Sequence, residues 1–346
     1  MKIISNTQNL IHYKVLLQVE EAVHKFMKKK GFLRVDLPVL SPSLIPESYL
    51  EVFETEYRYL DKRQKLYLTP SPELFMKRLL SEGIGNIYYL GKAFRNSEPS
   101  SSLHSSEFTI LEFYKINADY LDLAKEVLEL LQFILNSLRR HSGESRFDRG
   151  DFGQARVTIQ NQTSFSKWEK FTVAEAFEKF AGISEKELFD KKTFINKAKE
   201  KGYRVSGFSY EDIWSQIYTA EVEQKLGTRG FPTLIYDYPK EFAALAKLNP
   251  DDRTAQRFEF YIQGVELGDC YTELSDWKQQ QSRFKQEADK RKKMKKINHP
   301  IDKGMTTALK YGLPDCAGIA IGLERLAMIF ANVQSIQQIK LITVET

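Results

Sequence analysis

The sequence predicts an α+β protein, and three observations carry that prediction. Residues 10–30 place Val15, Leu16, Val19, Val23, Phe26 and Met27 at helical spacing, and residues 119–140 form a second amphipathic run. Residues 32–37, 233–237 and 258–267 read as strands, the first alternating apolar with polar side chains. Tight turns join strand arms: residues 57–60 with 65–69, and the two arms that meet at Gln263-Gly264.

Taken in order, the first helix stops near Lys30-Gly31, and the strand after it ends at Pro38. Ser71-Pro72-Glu73 opens a helix from Leu74 to Glu82, with the serine as cap and the proline in the first turn. Beyond the helix at 119–140, residues 142–170 are polar and glycine-bearing, and 171–227 read as helical. We expect one catalytic domain over residues 1–346, interrupted at about 142–230 by a largely helical insertion. The chain carries no internal repeat and no low-complexity tract.

With 346 residues the chain can bury a sizeable core as one large or two modest domains. Its 42% hydrophobic and 28% charged residues are those of an ordinary globular protein. No run approaches the roughly 18 to 20 apolar residues of a membrane span. Met1-Lys-Ile-Ile-Ser-Asn lacks an apolar signal core, so a cytoplasmic protein without a membrane partner is expected. Cys270 and Cys316 have no metal-type spacing and read as reduced thiols. A net charge of +5 argues little for nucleic acid. The basic run from Lys285 to Lys296 reads as a charged helix end in water, with a site for RNA or an acidic protein as the alternative.

Two distant segments read as one nucleotide site. The first is Phe94-Arg95-Asn96, a polar loop, then His104-Ser-Ser-Glu107-Phe108-Thr109-Ile110-Leu111-Glu112-Phe113-Tyr114. The second is Gly318-Ile-Ala320-Ile-Gly322-Leu-Glu324-Arg325-Leu326. These resemble motifs 2 and 3 of the class II aminoacyl-tRNA synthetases, and the first helix with its strand resembles motif 1, the dimer-forming motif of that family. The resemblance implies a class II catalytic core, an antiparallel sheet flanked by helices, a homodimer, and ATP as a substrate.

Forming an aminoacyl adenylate needs little proton transfer, so catalysis is mainly positioning and charge neutralisation. Arg95 is the candidate clamp for the α-phosphate and the substrate carboxylate, because a planar guanidinium grips such oxygens in bidentate fashion. Phe108, Ile110, Glu112 and Tyr114 share one strand face, which places Phe108 to stack on adenine. Folding the hairpin at Gln263-Gly264 sets Glu259 and Glu266 on one face as diagonal neighbours, a pair of hard carboxylates suited to Mg²⁺ beside a triphosphate. Gly318 and Gly322 would let ATP approach the strand backbone closely. Motif 3 of the family puts Arg325 over the adenine and against the γ-phosphate.

Glu73, Glu112 and Glu273 converge on the same pocket, and surplus negative charge beside Arg95 calls for a substrate with two amines. Leu68-Thr-Pro-Ser71-Pro72-Glu73-Leu-Phe-Met76-Lys77-Arg78, Glu266-Leu-Gly-Asp-Cys-Tyr-Thr-Glu273-Leu-Ser-Asp276 and Gly312-Leu-Pro314-Asp-Cys316 resemble lysyl-tRNA synthetases. They are closer still to the lysyl-tRNA synthetase-like ligases of elongation factor P. That resemblance implies that Arg95, Glu98, His104, Ser105, Phe108, Glu266, Leu267, Gly322 and Arg325 surround ATP. It also implies that Ser71, Glu73, Glu112, Tyr114, Asp269, Tyr271, Glu273 and Ala320 hold the amino acid. The first helix begins almost at Met1, so a core without an N-terminal OB anticodon-binding barrel is expected, and Ala320 stands where lysyl-tRNA synthetases generally have glycine. Both features favour the protein-modifying branch, and the resemblance implies lysine or β-lysine as substrate and elongation factor P, or a similar protein, as acceptor.

The sequence also departs from that family. Ser105 replaces an ATP-contacting asparagine, the loop before His104 lacks its usual basic residue, and Asp269-Cys270 replaces Asn-Gly. The ending, Lys340-Leu-Ile-Thr-Val-Glu-Thr346, also differs. Two other readings stay open at this point: a truncated lysyl-tRNA synthetase charging tRNA or a small RNA, and a synthetase-like binding protein without turnover.

Overall fold

A computed structural model of the chain describes residues 2–97, 101–144 and 163–345. Its centre is an eight-stranded sheet built from β1 (Leu33–Arg34), β2 (Ile87–Phe94), β3 (Glu107–Ile116), β4 (Glu169–Thr172), β5 (Thr233–Pro239), β6 (Thr254–Ile262), β7 (Val265–Thr272) and β8 (Cys316–Gly322). The spatial order is β1-β2-β3-β8-β7-β6-β5-β4. The six inner strands pair antiparallel, as expected, and one parallel pair closes each edge, β1 with β2 and β4 with β5. The last strand of this sheet in sequence, β8, slots between β3 and β7. That crossover brings the two distant motif segments side by side.

One face of the sheet is apolar because alternate residues of each strand point to it. Leu111 and Phe113 on β3, Ile319 and Ile321 on β8, Cys270 on β7, and Phe258 and Phe260 on β6 are buried there. Three helices cover this face: Leu10–Lys29, Tyr120–Glu144 and Leu323–Ala331. The first presents Val15, Val19, Val23, Phe26 and Met27, the residues whose spacing predicted it. The opposite face carries the polar groups described below.

Several boundaries move by a residue or more. The strand expected at 32–37 pairs only through Leu33 and Arg34, beside Ile87 and Tyr88. Val35 adds one more backbone bond to Tyr88, after which Pro38 lacks the N–H to continue a ladder. The hairpin expected at 57–60 and 65–69 is longer, Glu54–Tyr59 with Lys62–Leu68. The helix expected from Leu74 begins at Glu73, whose backbone N–H donates to Ser71 Oγ at 3.1 Å. The turn at Gln263-Gly264 forms as expected, with φ of 55° and 77° at its two central residues.

Within 142–230, the residues from 145 to 162 lie outside those described. Glu169–Thr172 is a strand at the edge of the main sheet, and short helices follow from Val173–Ala176 to Tyr210–Ile217. Their core is Phe177, Phe194, Trp214 and Tyr218, packed on Tyr238 and Tyr261 of the sheet. Near the two ends of the chain, Lys2–Ser5 and Ile342–Glu345 pair antiparallel. No helix among the described residues is long and apolar enough to cross a membrane.

Candidate active site

Pairing register arranges the site. One row across the sheet reads Tyr89, Glu112, Ala320, Asp269, Glu259, and the next reads Ile87, Tyr114, Gly318, Tyr271, Arg257. Residues in these rows share a face because each is two positions from its neighbour along the strand. Between Phe260 and Tyr261 the register shifts, so Leu267 is an extra residue in β7. This bulge brings Glu266 and Asp269, three positions apart, into the wall of the same cavity.

That cavity has a volume of about 800 Å³. Arg95, His104, Ser105, Phe108, Glu266, Leu267, Gly322 and Arg325 all line it, so the motif 2 and motif 3 segments meet as the sequence predicts. Glu98 lies outside the described residues. Arg325 ties three segments together, donating to Leu103 O at 3.1 Å, Glu266 O at 2.9 Å and His104 Nε2 at 2.9 Å. A guanidinium has no acceptor, so His104 Nε2 must accept. The proton therefore sits on Nδ1, which donates to Ser101 Oγ at 2.8 Å. Arg95 lies with its guanidinium 5.2 Å from the Phe108 ring centre, and its buried Nε has no hydrogen-bond partner among the described residues.

The two motif 3 glycines serve different ends. A side chain at Gly318 would strike the Tyr114 ring and Glu273 Oε1, so its space is already taken by those residues rather than open to a nucleotide. At Gly322 an added carbon would meet only the Arg325 side chain, at 3.8 Å, and this position opens on the cavity. The close-approach expectation is therefore corrected for Gly318, while at Gly322 the space it needs is open.

Ser71, Glu73, Glu112, Tyr114 and Glu273 do not line the cavity itself; they are gathered behind the wall formed by Tyr271 and Ala320. Ser71 Oγ donates to Glu112 at 2.7 Å and Tyr114 OH donates to its other oxygen at 2.9 Å. Tyr271 OH donates to Glu73 at 3.0 Å. The charge count needs a correction, because the Lys77 ammonium, 2% exposed, lies between Glu73 and Glu273 and pairs with both. Three buried carboxylates thus share one internal cation. Burial first, and then the nearby Glu73, push Glu112 up to about 8. Burial and the neighbouring Glu73 and Glu112 likewise raise Glu273, against the pull of Lys77.

Asp269 lines the cavity with its charge already paired. Arg257 binds it with two parallel hydrogen bonds of 2.9 Å, so it adds no net charge to the pocket. The same guanidinium donates to Glu259 at 2.9 Å, and Tyr261 OH donates to the other Glu259 oxygen at 2.6 Å. Burial, with repulsion from Glu266 and Asp269, pushes Glu259 up to about 8. A divalent cation relieves such repulsion, so the pair fits Mg²⁺ chemically. No cluster of three or more His, Cys, Asp or Glu among the described residues has metal-holding geometry. An ion between Glu259 and Glu266 would therefore take its other ligands from phosphate and water.

Four working residues escaped the sequence reading. Lys77 had a visible signal, its i+4 spacing from Glu73 on one helix. Arg257 sits two residues from Glu259, a strand-face spacing that was legible. Glu324 is buried and accepts both the backbone N–H and the hydroxyl of Thr109, and nothing local announces that partner. Arg291 belongs to the basic run but is 3% exposed, and it donates to Glu47 O, Leu50 O, Glu51 and Ile297 O. The run is therefore a solvated helix end with one buried clasp.

The family model of class II tRNA synthetases (D, K and N) matches residues 4–344. The elongation factor P--(R)-beta-lysine ligase of Vibrio parahaemolyticus is 34% identical over 92% of this chain and 91% of its own length. That of Avibacterium paragallinarum is 34% identical over 93% of this chain and 92% of its length. For Photobacterium profundum the identity is 33%, over 96% and 95%. The chain belongs to the class II tRNA synthetase family of the aspartate, lysine and asparagine enzymes, and to its group of elongation factor P--(R)-beta-lysine ligase relatives.

Proposed function

We propose that this chain uses ATP to activate a lysine isomer, by preference β-lysine, and transfers it to a lysine side chain of elongation factor P. The observation that carries the reading is the group Glu73, Glu112 and Glu273 around a single Lys77, directly behind an arginine-lined cavity. A second ammonium is what this set of carboxylates binds best, and a diamino acid supplies it. Tyr271, on the cavity wall and bonded to Glu73, joins the two compartments.

In the first step the substrate carboxylate attacks the α-phosphate in line. Arg95 holds both reacting oxygens, and Phe108 supports the adenine. Arg325 neutralises charge at the far end of the triphosphate, its orientation fixed by Glu266 O and His104. Glu259 and Glu266 would hold Mg²⁺, which when bound would supply positive charge to offset the negative charge that develops.

We further propose a homodimer built on the first helix and the segment after it. Leu10, Ile11, Leu17, Leu33 and Leu40 are each 40% or more exposed there. A cytoplasmic setting suits Cys270 and Cys316, both buried free thiols. The deciding experiment is pyrophosphate exchange with each lysine isomer, followed by transfer of the labelled amino acid in the presence of elongation factor P and tRNA. Exchange is expected with β-lysine and label on the protein. Label on tRNA alone overturns the acceptor assignment, and silence with every diamine overturns the ligase reading.

A further inference from the structure

Glu47 is not among the residues assigned to ATP or to the amino acid. It lies in the loop between the short strand Leu40–Ser41 and the hairpin strand Glu54–Tyr59. The loop is anchored on both sides. Arg291 donates to Glu47 O at 2.8 Å and to Leu50 O at 2.5 Å. Ser48 N donates to Glu287 at 2.9 Å, and Asn96 N, next to Arg95, donates to Glu51 O at 2.9 Å. Glu51 spends its carboxylate on Arg291, Val52 N and Ile297 N. The Glu47 carboxylate, by contrast, has no hydrogen bond or ion pair among the described residues, and it lines the cavity with Arg95, Asp269 and Tyr271.

We propose that Glu47 is the general base of the transfer step, taking a proton from the acceptor ammonium in the cavity; this rests on the ligase reading above. A lysine side chain has an ordinary pKa near 10.4, so at pH 7 roughly one in several thousand is the neutral nucleophile. Glu47 accepts one proton from that ammonium. The freed lone pair forms the N–C bond to the adenylate carbonyl, and the C–O bond to phosphate breaks with its electrons on AMP. The second nitrogen proton leaves on the AMP phosphate, giving a neutral amide.

The surroundings suit that work. Burial, with Glu73, Glu287 and Asp269 facing it and Arg95 opposing them, pushes Glu47 up to about 7. A base whose pKa lies near the working pH is the most effective one. Adenylate formation asks for no such base, so the two half-reactions separate.

The test uses single turnover of preformed adenylate on the full chain, wild type and Glu47→Gln. Two nucleophiles are compared: N-acetyl-lysine amide, an ammonium at pH 7, and hydroxylamine, which is already neutral there. In the variant, reaction with the lysine probe is expected to fall about 10²–10⁴-fold and to lose its rise near pH 7. Hydroxamate formation should stay within about threefold of wild type, and pyrophosphate exchange within about fivefold, scatter that corresponds to less than about 1 kcal/mol. Glu47→Asp should restore part of the pH-dependent rate. Equal loss with both nucleophiles, or a KM for lysine in exchange raised tenfold or more, makes Glu47 a substrate ligand and overturns the proposal. Absence of hydroxamate from the wild type with every lysine isomer is a different result, which removes the ligase reading and this base with it.

Discussion

Arg257 grips Asp269 across the β6–β7 hairpin with two hydrogen bonds of equal length, Nε to Oδ1 and Nη2 to Oδ2, each 2.9 Å. A fork-to-fork pair of this kind fixes both side chains and cancels their charge. The acidic residue that departs from the family pattern is therefore balanced from within the chain.

It follows that Asp269→Asn alters the fold's rigidity more than its substrate preference. We predict a KM for lysine isomers within about threefold of wild type and a stability loss of about 1–3 kcal/mol from the weakened pair. Exchange kinetics and denaturant unfolding measure both. A tenfold rise in KM would show that Asp269 reads the substrate amine after all.

Arg95→Ala removes the guanidinium beside Phe108 from the cavity wall. Pyrophosphate exchange should fall by at least about 10²–10³-fold, the cost of one preorganised charge donor at an acyl or phosphoryl centre. Thermal melting should stay close to wild type, since Arg95 is only partly buried. Exchange at the wild-type rate would refute the active-site assignment.

Glu112 predicts a pH dependence with a definite sign. Its carboxyl is held at about 8 in the ligand-free protein, against an ordinary value of 4.5, because it is buried beside Glu73. Below pH 8 it is protonated and must lose that proton to bind an ammonium. KM for the diamine should therefore fall as pH rises from 6 to 8 and level off above it. The stability it contributes runs the other way: it is present below 4.5 and lost as pH rises through 8. Glu112→Gln keeps an acceptor for one of the Ser71 and Tyr114 hydroxyls, donates to the other, and removes the uncompensated charge. At pH 8 it should melt a few degrees higher, roughly the 2–4 °C that follows from about 1 kcal/mol, while losing exchange activity.

Ala320 stands between Glu112 and Asp269 in the cross-strand row. One methyl on a pocket wall alters preference by about 1–3 kcal/mol. Ala320→Gly should shift the ratio of exchange rates toward ordinary L-lysine by about 10–200-fold. An unchanged ratio would take this residue out of the specificity argument.

Much of the architecture was legible in the chain. Helical spacing gave the helices at 10–29 and 120–144, and the Gln263-Gly264 dipeptide gave the β6–β7 turn with its two positive φ angles. These signals are local, carried by residues within a few positions of one another. The strand at 32–37 was overread because alternation shows which faces a segment has, whereas pairing decides where a strand ends. Within the site, Arg95, Arg325, Phe108 and the glutamates at 73, 112, 259, 266 and 273 were named from motifs and hairpin spacing, whereas Arg257 was not. Nor was Glu324, because its partner Thr109 lies 215 residues away and only the crossover of β8 brings them together.

The sequence alone determined the α+β composition, the main helices, the hairpin turn and the residue types of an adenylate-forming site, since all of these are written in short-range patterns. Tertiary structure decided the charge balance: that Lys77 sits among three carboxylates, that Arg257 cancels Asp269, and that the Glu47 carboxylate has no partner among the described residues in the cavity. The physical reason is that a buried charge takes its energy from what surrounds it in space, and neighbours drawn from different strands and loops meet only when the chain has folded.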